Sequence, residues 1–172
     1  SIRTPVWGNF YTLGGYDYPG AAVFHDGRMI FGGSTNYPQT IWASRVHGYN
    51  DFSTGSDPDD GFDRELTSDR RDQIRHLVSS RSLLCMTYGT EYSIYGGNDG
   101  PLTPLTVTAK PQSTYGAAAC LPEVVGNEVL FVQRSGKRIR AAAYSIDADQ
   151  YIAADITELH DRITAEGVKE LV

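Results

Sequence analysis

Along residues 21–52, AAVFHDGRMIFGGSTNYPQTIWASRVHGYNDF, apolar and polar positions alternate in short bursts broken by turn formers. One burst runs into His25-Asp26-Gly27-Arg28. A second, MIFGG, follows, then a proline-bearing loop, then a third burst, TIWASRV, with Trp42 at its centre. Period-two alternation in runs this short marks β-strands.

The same order recurs twice. Ser79-Ser80-Arg81-Ser82 precedes LLCMTYG, and Val125-Gly126-Asn127-Glu128 precedes VLFVQRSG, so the strands after the three turns begin at Met29, Leu83 and Val129. Each is followed by a turn and another strand: TIWASRV, then EYSIYGG after Gly89-Thr90, then RIRAAAYS after Gly136-Lys137. Candidate outer strands lie behind them, at ELTS (65–68), LTVTAKPQ (105–112) and YIAADIT (151–157). Alternation is clear at Ile139, Ala141 and Ala143 and weaker elsewhere, as in strands buried on both faces between stacked sheets.

Four short antiparallel strands repeated at a period of about 50 residues describe a β-propeller blade. The expected fold is therefore all-β and β-propeller-like, with three antiparallel blade-type sheets at about 18–68, 72–112 and 115–157. Residues 1–17 form a lead-in. Residues 158–172 hold a short helical turn, capped by Thr157 and ended by Gly167, and then the start of a next blade in VKELV. Three blades are fewer than the roughly four to eight that close a ring, so the propeller is expected to be incomplete. The opening Ser1 and the lack of a leader pattern fit a piece of something longer. Strand centres at Ile30, Ile41, Trp42, Leu84, Met86, Ile94, Leu130 and Val132 are the predicted core.

Composition agrees. The chain has 172 residues, enough for one domain with a core, and 18 glycines, 8 prolines and 11 tyrosines favour short strands and tight turns. The net charge is −6, and the 15 basic residues are scattered apart from Lys137, Arg138 and Arg140, which argues against a tight nucleic-acid binder. No apolar run approaches the roughly 20 residues that cross a bilayer, so no membrane partner is expected. Cys85 and Cys120 sit in apolar stretches and read as small buried hydrophobes rather than as a disulfide.

Candidate chemistry is thin. The acidic run DPDDGFD (57–63) places glycine at the fifth position from Asp57 and Ser68 at the twelfth, where a calcium loop needs glycine at the sixth and glutamate at the twelfth. It reads as a solvated loop. Asp147, Asp149 and Asp155 supply carboxylates of the kind glycosidases pair, but alternate acids on an extended segment usually only hydrate one face. His25, His47, His76 and His160 share no ligand or nucleophile spacing. Ser135-Gly136-Lys137 imitates the tail of a phosphate loop without its first glycine and reads as a hairpin turn. Trp42 reads as core, whereas Trp7, Tyr11, Tyr16 and Tyr18 suit an exposed or partner-facing surface. No catalytic, cofactor-binding or metal-ligating residue is assigned, and the expectation is a non-enzyme needing no cofactor.

Longer ordered blocks carry a resemblance: RMIFGGS from Arg28 to Ser34, NYPQTIWASR from Asn36 to Arg45, and GYNDF from Gly48 to Phe52. IRHLVSSRSLLCMTYGTEYSI, QSTYGAAACLPEVVGNEVLFVQRSGKRIRAAAYS and DADQYIAADITELHDRI continue it, so that it spans about residues 18–172. The chain resembles the tail hub or nozzle proteins, also called tail tubular protein B, of short-tailed bacteriophages and prophages. The resemblance implies a propeller-bearing structural protein of the virion tail, made in the bacterial cytoplasm and assembled with other copies of itself in a ring around the DNA exit channel. Its implied partners are neighbouring tail and head-completion proteins and DNA that passes without specific binding. The acidic balance suits such a passage. Two other readings stand beside it, a carbohydrate-binding or carbohydrate-active β-propeller domain and an adaptor that grips one protein through its loops.

Overall fold

In the computed structural model, which describes residues 11–12, 15–67, 72–158, 162 and 164–171, the named strands all pair antiparallel. β1 (Tyr11–Thr12) and β2 (Gly15–Tyr16) form a two-stranded ladder. The first main sheet is a meander of β3 (Ala21–His25), β4 (Arg28–Gly32), β5 (Thr40–Ala43) and β6 (Phe62–Glu65). The second repeats it with β7 (Ile74–Ser79), β8 (Leu83–Thr87), β9 (Glu91–Tyr95) and β10 (Thr108–Ser113). The third uses β11 (Glu123–Val125), β12 (Glu128–Val132), β13 (Ile139–Ser145) and β14 (Gln150–Asp155). The chain is thus all-β, three antiparallel four-stranded sheets, with a short 3-10 turn at Gly97–Asp99.

The second sheet is buried on both faces because its strands are apolar on both. Successive side chains of a strand point to opposite faces, and LLCMT in β8 is buried at every position. Leu83, Cys85, Tyr92 and Ile94 pack with Ile30, Ile41, Ala43 and Phe62 of the first sheet. Leu84 and Met86 pack instead with Val129, Phe131, Ala142, Tyr151 and Ala153 of the third. Each large apolar side chain fully buried at these junctions contributes about 1.5–3 kcal/mol. Connecting segments stitch the sheets as well. The Ile74 amide donates to the Pro38 carbonyl, the Ala117 amide to Thr87, and the Ala118 amide to Val132.

Several expectations shift. The fourth strand of the first sheet is Phe62–Glu65, earlier than ELTS, because Phe62 lies opposite Ala43 and enters the core between the sheets. Leu66 is buried and its amide donates to the Gln39 carbonyl, one step beyond the Thr40–Glu65 pair in the same register, while Ser68 lies outside the described residues. Leu130 is only half-buried, because it is on the face of β12 turned away from the second sheet; Val129 and Phe131 fill the junction in its place. The other seven residues of the predicted core are buried. Residues 168–171 form no strand, and the Val168 amide donates to the Gly136 carbonyl. The expected helical turn falls mostly on residues 159–161 and 163, outside the described residues. The Thr157 hydroxyl accepts from the Ile139 amide at 3.4 Å and donates to Asp155 at 2.8 Å, which closes the end of the third sheet.

Candidate interaction surfaces

The acidic loop owes its shape to one buried arginine. Arg28 has no exposed surface, and its guanidinium donates to the carbonyls of Ser44 (2.6 Å), Asp60 (2.7 Å) and Pro58 (2.6 Å) while packing over the Phe62 ring. Arg45 pairs with Asp59 and Asp60 at 3.3 and 3.2 Å. Burial pulls the Arg28 pKa down, and the carboxylates of Asp26, Asp59 and Asp60 oppose that pull. The loop therefore wraps a cation that the chain itself supplies, with loop carbonyls converging on it. Sequence spacing excluded a calcium loop but gave no hint that Arg28, thirty residues upstream, was the organising charge.

The other candidate residues are dispersed. Asp155 is held by Arg138 and by Thr157; burial alone would raise its pKa, but these bonds outweigh it and keep the carboxyl below its ordinary range. Asp149 accepts from the Tyr144 hydroxyl in the β13–β14 turn, and Asp147 is exposed. His47 is exposed in a turn, His76 is buried with Nε2 2.8 Å from the Ala118 carbonyl, and His160 lies outside the described residues. Among the described residues no cluster of three or more His, Cys, Asp or Glu is placed to hold a metal ion. The basic set is divided too: Lys137 is exposed, Arg138 pairs with Asp155, and Arg140 is buried over the Tyr115 ring, bonding Gln133 and the Ala153 carbonyl. Ser135-Gly136-Lys137 forms the β12–β13 turn. Both cysteines are free, but only Cys85 is buried; Cys120 is half-buried in the connecting segment rather than in the core. Tyr18 is exposed, Trp7 lies outside the described residues, and the side chains of Tyr11 and Tyr16 are likewise outside them.

Where the β3–β4, β7–β8 and β13–β14 turns gather, side chains from all three sheets line a cleft of about 340 Å³. His25 and Asp26 come from the first sheet, Arg81 and Lys110 from the second, Tyr144 and Asp149 from the third. The Lys110 ammonium stands 3.8 Å from the Asp149 carboxylate, and Arg81 lies over the Tyr144 ring at 4.4 Å. His25 bonds the Ser79 hydroxyl at 2.8 Å; burial lowers its pKa, against the pull of Asp26. Two cationic and two anionic groups balance, a wall suited to a neutral polar molecule. Nothing in the sequence signalled this gathering, because its members are far apart along the chain.

Glu91 was also missed. It is buried between the second and third sheets, where one carboxyl oxygen accepts from the Ser113 hydroxyl and the Tyr115 amide, and the other, Oε1, has no hydrogen-bond partner among the described residues. Burial pushes its pKa up, against those hydrogen bonds.

The outward flanks of the first and third sheets mix apolar side chains with exposed carboxylates, Asp63 and Glu65 on the first and Glu123 and Glu128 on the third. On the first, Trp42 and Phe52 are buried with Met29 and Phe31 against them, while Phe24 and Tyr49, edge to face at 5.2 Å, stand exposed. On the third, Ala141 is buried, but Val125, Ile152 and Ala154 are exposed and Leu130 and Ala143 are half-buried. Exposed apolar groups in contiguous patches mark contact surfaces more than isolated ones do. Neither a scan of protein-family models nor a search of curated proteins finds a match for the chain.

Proposed function

We propose that the chain is a structural part of a bacteriophage or prophage tail, a hub or nozzle subunit contributing to a ring around the DNA exit channel, with its three sheets serving as consecutive propeller blades. The observation that carries this reading is the stacking of three equivalent four-stranded meanders through both faces, with partly buried apolar side chains left on the outer faces at either end. A repeat stack buries its faces only against neighbours, so such flanks belong to a wall that continues. The ordered blocks from Arg28 to Phe52 add the family resemblance. Such a wall does mechanical work: stacked sheets with interlocked cores deform little. In this role the chain performs no catalysis and lets DNA pass without sequence-specific grip. Immunogold labelling with antibodies against this chain, on particles released when the source bacterium is induced, tests the proposal. Gold confined to tails supports it, and particles unlabelled despite expression of the chain overturn it.

A second reading has one observation in its favour, the polar cleft with balanced charge and the Tyr144 ring at its wall. Polar groups that converge in a cleft orient small ligands, and a saccharide matches these groups. Binding on a glycan array that is lost in Tyr144→Ala would favour it.

A further inference from the structure

The connection from the second sheet to the third is fastened by one carboxyl. Along β9, Tyr92 and Ile94 pack toward the first sheet, so Glu91 faces the third. Opposite it β10 carries a bulge: Pro111 pairs with Tyr92 and Ser113 with Glu91, which leaves Gln112 as the extra residue. The bulge aims two side chains into the seam between the sheets. Gln112 Oε1 accepts from the Tyr151 amide of the third sheet at 2.6 Å, and the Ser113 hydroxyl donates to Glu91 Oε2. The Tyr115 amide donates to the same oxygen at 3.3 Å, just before the Ala117 and Ala118 amides bond the Thr87 and Val132 carbonyls. Glu91 thus ties down the connection where it leaves the second sheet.

Among the described residues no cation pairs with this carboxyl. On the third sheet, Arg140 stacks on the Tyr115 ring and donates to Gln133 and the Ala153 carbonyl, and exposed Arg134 runs past Gly116. The Tyr144 hydroxyl donates to Asp149, and the Tyr151 hydroxyl accepts from Ser82. On the second sheet, Arg75 lies over Tyr88 and bonds the Ala117 carbonyl, His76 meets the Ala118 carbonyl, and Lys110 pairs with Asp149. Cys85 and Tyr92 are on the opposite face, and Asp72, an anion, lies against Gly89 in the β8–β9 turn. Glu91 Oε1 has no hydrogen-bond partner, and the void that Glu91 borders with Met86, Phe131 and Tyr151 is about 10 Å³, room for about one water. A carboxylate buried without a counter-ion is costly, and so small a void cannot hydrate it in place. We propose that a proton on Glu91 keeps the seam between the second and third sheets shut, and that losing it opens the seam. Burial raises the Glu91 pKa, against the bonds from Ser113 and Tyr115, as a closed seam that favours the neutral acid requires. Once ionised, the carboxylate reaches water when the 113–118 connection lifts and frees the Ala117 and Ala118 amides.

Two measurements on the whole chain test this. In an NMR titration of the glutamate carboxyl carbons, one carboxyl gives up its proton at higher pH than the rest, and its signal is missing in Glu91→Gln, an uncharged side chain of the same shape. In hydrogen exchange, corrected for the intrinsic effect of pH, the Ala117 and Ala118 amides lose protection as pH rises from the ordinary glutamate range through that titration. The loss approaches about tenfold per pH unit, because one proton leaves with each opening, and it levels off above the titration. Protection in β4 and β5 does not follow, and Glu91→Gln keeps the Ala117 and Ala118 amides protected throughout. A Glu91 carboxyl that titrates with the others overturns the proposal. So does protection that never falls, a fall that Glu91→Gln shares, or one that spreads equally to β4 and β5. None of these outcomes bears on tail labelling, so the two proposals fail separately.

Discussion

Shortening two adjacent residues of β12 separates the faces of the third sheet. Phe131 has no exposed surface and packs among Val78, Leu84, Met86, Ala142 and Tyr151, side chains held by the ladders of two different sheets. Those ladders cannot close over a vacated ring, so Phe131→Ala should cost about 3–5 kcal/mol. Leu130, one residue earlier, is half-buried on the outward face, and Leu130→Ala should cost about 1 kcal/mol. For a chain of this length each kcal/mol lowers Tm by roughly 2–4 °C, so the expected losses are about 6–20 °C and about 2–4 °C. Urea denaturation followed by intrinsic fluorescence, at concentrations low enough to exclude association, gives both values. The slope with denaturant should stay constant, since neither change alters the surface exposed on unfolding. Equal losses, or a larger loss at Leu130, would refute the assignment of faces.

Other outcomes follow from single groups. Glu91, with its pKa raised by burial, contributes stability that is fully present below the unfolded value and lost as pH rises through the folded value. Glu91→Gln should therefore be more stable than wild type at neutral pH, with the gap closing in acid; a gap that is constant with pH in denaturation curves would contradict this. Asp17 runs the other way: burial raises its pKa, but bonds from Ser34, Asn36 and Thr35 outweigh it, so its contribution is lost as pH falls, and Asp17→Asn should flatten the acid limb of stability against pH. Arg28→Met removes the donor shared by three carbonyls and should destabilise by about 3 kcal/mol, with protease cleavage appearing first in the 57–60 loop. Gly116 and Gly126 both have positive φ, but an added Cβ at Gly116 would collide with the Tyr88 carbonyl, whereas at Gly126 it meets open space. Gly126→Ala should cost about 1–2 kcal/mol and Gly116→Ala clearly more, measured by the same unfolding curves.

The turn and strand order was legible along the chain. Short alternating runs between turn formers mark strands by local chemistry alone, which is why Met29, Leu83 and Val129 align in sequence and again within β4, β8 and β12. Failure of the DPDDGFD spacing as a calcium loop was equally local. What pairs with what was not. A strand such as VLFV, apolar on both faces, says that both can be buried but not which one has a neighbour, and so Leu130 read as core. The start of β6 was hidden because register is fixed by Phe62 reaching a core built from another sheet. Arg28 looked like a turn residue until the fold brought the Pro58 and Asp60 carbonyls onto it. The cleft and the unpaired Glu91 oxygen depend on side chains from different sheets. Pleat and turn propensity act over a few residues, and the sequence therefore determined the strands. Burial, charge pairing and facing arise between segments far apart in the chain, and only the stacking of the sheets decided them.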